Sequence, residues 1–123
     1  MEYRASTTLP AVPTAPAAAR AFARDAVEKG RATVHVDDLA LVVSELVTNA
    51  VIHGSGDVTL ELTMDEGAVR VEVHDDSPGT VGAIERPPQA ESGRGLLLVS
   101  RVATRWGTRS EGAGKVVWAD LAS

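Results

Sequence analysis

The chain of 123 residues contains no cysteine, which excludes disulfide staples and thiol chemistry. Aromatic residues are scarce: Tyr3, Phe22, Trp106 and Trp118 are the whole set. That is too few for the stacking platforms that hold single-stranded nucleic acid. No apolar run approaches the roughly 18 residues of a membrane-spanning helix. The opening stretch MEYRASTTLPAVPTAP lacks the basic-then-apolar pattern of a secretory leader, so a cytoplasmic location is expected. Positive charge is also short, with 12 Lys and Arg against 17 Asp and Glu and a formal charge of −5. A general nucleic-acid or anionic-membrane surface needs a basic face, so neither partner is expected. An anionic nucleotide is still compatible, because backbone amides and a divalent cation can hold phosphates locally.

What is present suits one domain of ordinary globular composition, 44% hydrophobic and 24% charged. Residues 1–14 read as an N-terminal arm in which Arg4 to Leu9 can form an edge strand, stopped by Pro10, Pro13 and Pro16. Residues 15–123 read as the domain proper. A helix is expected from about Pro16 to Lys29, with Pro16 in its first turn and Gly30 at its end. Its apolar stripe would be Ala19 or Phe22, Ala23 and Val27. The Ala-rich surface of this helix is either a partner or homodimer face, or simply a close packing surface.

A second helix, capped by Asp37 or Asp38 and ended by Gly54, carries Leu39, Val42, Val43, Leu46, Val47, Ala50 and Val51. A helix this apolar is mostly buried. Residues 57–64 and 68–74 each alternate apolar and polar, and Asp65-Glu66-Gly67 between them completes an antiparallel hairpin. Residues 77–93 break the composition with Gly, Pro and Ser and no periodicity. A run of this kind inside a compact domain is usually functional, often a lid. A third helix is expected over 94–103, with Leu97, Leu98 and Val102 as its apolar residues. A closing hairpin over 104–110 and 115–121 turns at Glu111-Gly112-Ala113-Gly114. This order predicts an α+β fold, a two-layer sandwich whose mixed, mainly antiparallel sheet is covered on one face by helices.

Glu45, Asn49 and His53 are spaced one turn apart and drift only about 80° around the helix axis, so they share a stripe. A Glu and an Asn on a largely apolar helix are either a solvated stripe or groups facing a cavity. In the second case the Asn49 carbonyl oxygen is a hard donor suited to Mg²⁺, and Glu45 can orient or deprotonate a nucleophile. Asp75-Asp76-Ser77-Pro78-Gly79 follows a buried strand. Asp75 there can accept a hydrogen bond from an adenine amino group, although an ordinary turn has the same composition. Ser92-Gly93-Arg94-Gly95 precedes the third helix, where glycines allow close approach and free helix amides can bind phosphate, with Arg94 adding charge. The sequence fits neither a Rossmann fingerprint nor a P-loop. His35, His53 and His74 show no metal-ligand spacing; His35 and His74 read as structural or surface residues, and His53 as a helix-end hydrogen-bonding group.

The run from Val43 through Ser44-Glu45, Thr48-Asn49-Ala50 and Ile52-His53-Gly54 resembles the N box of the gyrase, chaperone, histidine-kinase and MutL type of ATPase. Asp75 to Gly79 resembles the first glycine box of that family, and Gly93-Arg94-Gly95-Leu96 with Leu97-Leu98-Val99 the second. The resemblance covers roughly residues 15–121 and is nearest to the bacterial anti-sigma factor serine kinases and their stand-alone ATP-binding relatives. It implies the Bergerat fold with ATP between sheet and helices. It also implies Mg²⁺ on Asn49, adenine on Asp75, Glu45 as general base, Gly79, Gly93, Arg94, Gly95 and Leu96 around the nucleotide, and a lid over 80–92. The implied partners are an anti-sigma factor antagonist, phosphorylated on serine, and a sigma factor. A phosphoacceptor histidine domain has no place in this sequence, so a complete histidine kinase is not expected. Three positions depart from the family pattern: Ser77 replaces the first glycine of its box, Lys115 stands where many relatives carry Thr, and the lid is short and contains Pro87-Pro88. Three functions follow as alternatives: a protein-serine kinase, a non-catalytic nucleotide-gated binding module, and a scaffold without nucleotide.

Overall fold

The computed structural model of the chain describes residues 2–54, 56–76 and 97–122. In chain order its elements are β1 (Tyr3–Leu9), α1 (Ala15–Gly30), α2 (Val36–His53), β2 (Val58–Asp65), β3 (Ala68–Asp75), β4 (Arg105–Glu111) and β5 (Gly114–Ala122). Residues 97–102 are also helical.

The alternating segments form strands because one face of each can be buried. Val58, Leu60, Leu62 and Met64 of β2 and Val69, Val71 and Val73 of β3 all point into the core. Their hairpin turns at Glu66 and Gly67, and Gly67 has the positive φ of 84° that such a tight turn favours. The five strands are ordered β1-β2-β3-β5-β4, and every neighbouring pair is antiparallel. The expected sheet is therefore present, without a parallel pair among the described strands. β5, not β4, lies against β3, so the closing hairpin folds back with its second strand innermost.

Both helices cover one face of this sheet. Val42, Val43, Leu46 and Val47 of α2 are fully buried among the strand side chains, which is why α2 is apolar around most of its surface. In α1, Ala15, Ala19, Ala23 and Ala26 are buried together with Val27. The expected apolar stripe is thus turned inward, where its small side chains suit close packing, while Ala17, Ala18 and Ala21 of the same helix are exposed. Phe22, the alternative member of the stripe, is only partly buried against the core. Arg20 of α1 donates from Nη1 to Ser44 Oγ of α2 at 2.9 Å, fixing the two helices to each other.

Helix ends differ from expectation in two places. Gly30 remains helical, and Arg31 takes the left-handed cap at φ 54°. Gly30 is needed for space: a Cβ there would lie 2.8 Å from Met64 Sδ and 2.9 Å from Tyr3 Cδ2. Neither Asp37 nor Asp38 caps α2. The N-cap is His35, without a side-chain bond, and both aspartates sit in the first turn, where the positive end of the helix dipole favours them. In the helical segment 97–102 the fully buried residue is Val99, whereas Leu97, expected on the apolar side, is exposed. Val99 reaches the core fully, and Val102 packs against it partly buried, as expected.

Candidate functional site

Among the described residues three polar side chains are buried: Asn49 (7% exposed), Asp75 (4%) and Lys115 (3%). Buried polar groups are costly unless partnered, and among the described residues no buried side-chain nitrogen or oxygen lacks a hydrogen-bond partner. Asp75 ends β3 on its inward face, directly opposite Lys115 of β5. Lys115 Nζ lies 3.9 Å from Asp75 Oδ2, with both side chains almost wholly out of water. Asn49 is five residues before Gly54, the C-cap of α2, a rise of about 7.5 Å along the helix.

Glycines bring these elements into contact. A Cβ on Gly54 would lie 3.0 Å from Asp75 Cγ, so the end of α2 rests against the aspartate only because residue 54 has no side chain. A Cβ on Gly114 would collide with the backbone carbonyl oxygen of Asp75. The α2 terminus and the start of β5 therefore both press on the end of β3. Gly54 itself is extended, and its N–H donates to Ala50 O at 2.8 Å to close the helix.

The stripe Glu45, Asn49 and His53 passes through three environments: Glu45 is half-buried, Asn49 buried and His53 exposed. Glu45 stands one turn before Asn49 with partial access to solvent. His53 is solvent-facing at the helix end. The predicted residues Gly79, Gly93, Arg94, Gly95 and Leu96, the substituted Ser77 and the lid lie outside the described residues.

Sequence reasoning noted Lys115 only as a departure from the Thr of many relatives, whereas the structure buries it beside Asp75. A signal was available. Lys115 is in phase with Val117, Ala119 and Leu121, the inward-facing residues of β5, so alternation alone places it in the core.

The other sheet face carries a separate charge network. Arg70 of β3 donates from Nε and Nη2 to Asp120 of β5 at 2.7 and 2.9 Å. These hydrogen bonds, with the attraction of the guanidinium, hold the Asp120 carboxyl below the ordinary carboxylate range. Arg109 donates to both carboxylate oxygens of Glu72, at 3.3 and 3.4 Å. His74 lies 3.3 Å from Glu72 and 3.5 Å from Glu111. The spacing of the histidines gave no sign of a metal cluster, yet the sheet gathers Glu61, Glu72 and His74 with ligand atoms within 4.8 Å of one another. Arg109 already supplies positive charge to Glu72 there. A cavity of about 300 Å³ is lined by Gly30–Thr33 and Met64–Gly67, at the end of the β2–β3 hairpin remote from Asp75.

The histidine kinase-like ATPase domain family matches residues 9–121, and the chain belongs to that family. ATP is the ligand this membership implies. No curated protein matches the chain. Among solved structures, the RsbU and RsbW domains of a Mycobacterium tuberculosis protein superpose with a TM-score of 0.68 at 20% identity, over 97% of this chain and 32% of theirs. At that identity the likeness concerns the fold. The histidine kinase domain of a blue-light activated histidine kinase from Erythrobacter litoralis superposes with a TM-score of 0.55 at 28% identity, over 70% of this chain and 43% of that one. The chain thus spans less than half the length of either protein. Among the described residues no helix is long and apolar enough to cross a membrane.

Proposed function

We propose that this chain is an ATP-binding regulatory protein of the anti-sigma factor kinase type, transferring the γ-phosphate of ATP to a serine of an antagonist protein. The observation that carries the reading is the burial of Asn49 and Asp75 in a core built mostly of Val, Leu and Ala. Asp75 is a fixed acceptor for the adenine amino group, placed by Gly54 and Gly114. Asn49 offers a carboxamide oxygen, a hard donor whose chemistry fits Mg²⁺, and its burial argues for a ligand over a solvated stripe. Bound Mg²⁺ would supply charge neutralisation on the phosphates. Glu45, half-buried one turn away, accepts the proton of the attacking serine hydroxyl. Gly79, Gly93, Arg94, Gly95 and Leu96 are assigned to the nucleotide from their match to the family motifs. An anti-sigma factor antagonist is the proposed substrate, and a sigma factor a second partner. Protein-phosphorylating activity needs positioning, metal and a nucleophile-orienting group, and these residues offer all three.

The test is incubation of the chain with labelled ATP, Mg²⁺ and candidate antagonist proteins. Glu45→Ala is expected to keep ATP binding and to lower transfer by about 10²- to 10⁴-fold. Undiminished transfer would remove Glu45 from its role. Asn49→Ala is expected to lose Mg²⁺-dependent ATP affinity, and an affinity equal to that of the unmodified chain would refute the metal assignment. The Lys115–Asp75 pair favours a second reading, a nucleotide-gated binding module without transfer, because a lysine at the base end alters how nucleotide is held. ATP-dependent capture of a partner with no label on it would select that reading.

A further inference from the structure

The sheet face away from the helices carries a cluster that the nucleotide reading does not use. Glu61 of β2 and Glu72 of β3 stand directly opposite each other, and His74 follows two residues along β3 on the same face. Opposed like charges destabilise a strand pair, so this position works against the sheet unless positive charge is supplied. Arg109 supplies part of it, donating to Glu72 and to Glu111. Arg70, one pleat further along β3, is bound to Asp120. Glu61, Glu72 and Glu111 against the single guanidinium of Arg109 leave an excess of negative charge around His74, which a dication would cancel.

The distances suit such an ion. One ligand atom from each of Glu61, Glu72 and His74 lies within 4.8 Å of the others. His74 Nε2 is 3.3 Å from Glu72 Oε1, and two ligands of one tetrahedral Zn²⁺ stand roughly 3.4 Å apart. Rotation of the Glu61 side chain closes the remainder. The other ring nitrogen, Nδ1, faces Glu111 Oε1 at 3.5 Å. A carboxylate on the far side of the ring is what fixes the tautomer and orientation of a metal-bound imidazole. Arg109 holds both oxygens of Glu72 at 3.3 and 3.4 Å, and each oxygen keeps a second lone pair for an ion. We propose that Glu61, Glu72 and His74 form a Zn²⁺ site on the open face of the sheet, with Glu111 and Arg109 as positioning residues. An imidazole beside two carboxylates favours Zn²⁺ over Mg²⁺, and three protein ligands leave the fourth position to water. The ion clips β2 to β3 and is separate from the Mg²⁺ assigned to Asn49.

The experiment is calorimetric titration of Zn²⁺ into the metal-stripped chain with Mg²⁺ in large excess, which occupies unspecific carboxylate sites. One Zn²⁺ is expected to bind per chain and to raise the melting temperature, because the folded state alone assembles the three ligands. Glu111→Gln is expected to weaken Zn²⁺ binding by about 10- to 100-fold, the usual effect of removing such an outer partner. His74→Ala, which removes a ligand, is expected to weaken it further, and His35→Ala to leave it unchanged. No uptake of Zn²⁺ by the folded chain, or uptake that His74→Ala leaves undiminished, would overturn the proposal, and neither result bears on the ATP site. Should the variants fail to fold, the imidazole resonances of the unmodified chain decide. Those of His74 are expected to move on adding Zn²⁺, and movement at His35 or His53 instead would overturn the site.

Discussion

Two ion pairs join β3 to β5, and they differ in exposure and in geometry. Arg70–Asp120 and Asp75–Lys115 are both directly opposed residues of the same antiparallel ladder. Arg70–Asp120 lies on the open face, with side chains 38% and 18% exposed, and makes two short hydrogen bonds. Arg70 also covers the ring of Trp118, 4.5 Å from its centroid. Asp75–Lys115 lies on the helix face, nearly dry, with Nζ 3.9 Å from Oδ2. The open-face pair has good geometry where water screens it, and so contributes little. The buried pair sits where desolvation costs most, so loss of either partner is felt strongly.

The sharpest test of this contrast removes one acid from each pair. Asp75→Asn leaves the Lys115 ammonium buried without its counter-ion and is expected to cost about 3–5 kcal/mol of stability in addition to nucleotide affinity. Asp120→Asn is expected to cost about 1 kcal/mol or less, because Arg70 is over a third exposed and solvent screens the pair. Urea unfolding of the two variants measures both, and equal losses would dissolve the distinction.

Glycines sharpen the same comparison at smaller scale. Gly114→Ala sets a methyl against the backbone carbonyl of Asp75, which cannot yield without moving β3, so about 1–3 kcal/mol of stability is expected to be lost. Gly107 on β4 faces the indole of Trp118, and a Cβ there would come 3.0 Å from Cζ2. This indole is on the outward face and can shift, so Gly107→Ala is expected to cost under about 1 kcal/mol and to leave nucleotide binding intact. Thermal melts with and without Mg-ATP distinguish the two substitutions.

The smallest expected effect is one of pH. Arg70 holds Asp120 below its ordinary value, first through hydrogen bonds and then through charge. The folded carboxylate then binds protons less readily than the unfolded one. The contribution of the pair is full above the unfolded value of about 3.9 and disappears as pH falls through the lowered folded value. The stability difference between the chain and Asp120→Asn should be flat from pH 5 to 7 and shrink in acid below pH 4. A difference that persists in acid would mean that the hydrogen bonds survive protonation.

Much of this was legible in the residues because the physics that writes it is local. Alternation from Val58 to Met64 and from Val69 to Val73 matches the two-residue period of a strand with one dry face. The density of apolar residues from Leu39 to Val51 matches a buried helix, and Asn49 was conspicuous because it interrupted that density. Features that depended on contacts between distant segments were less visible. Gly30 resembles a helix terminator, but Met64 and Tyr3 explain it, both supplied by other elements. Helical spacing put Ala23 and Val27 on one stripe with either Ala19 or Phe22, and only the packing of α1 shows that Ala19 is fully buried while Phe22 is partly so. Leu97 and Val99 are equally apolar in sequence, and their sides follow from where the short helical segment docks.

By itself, then, the amino-acid sequence determined the period of each element, the polar residues that interrupt its apolar faces, and the family to which the motifs point. It also put Lys115 on the inward phase of its strand, because alternation is a property of backbone pleating alone. What tertiary structure decided was the neighbour of that strand. By turning back so that β5 and not β4 pairs with β3, the closing hairpin sets Lys115 opposite Asp75. Which strand of a hairpin lies innermost depends on the burial available across the whole sheet, a sum over distant contacts that no local pattern contains.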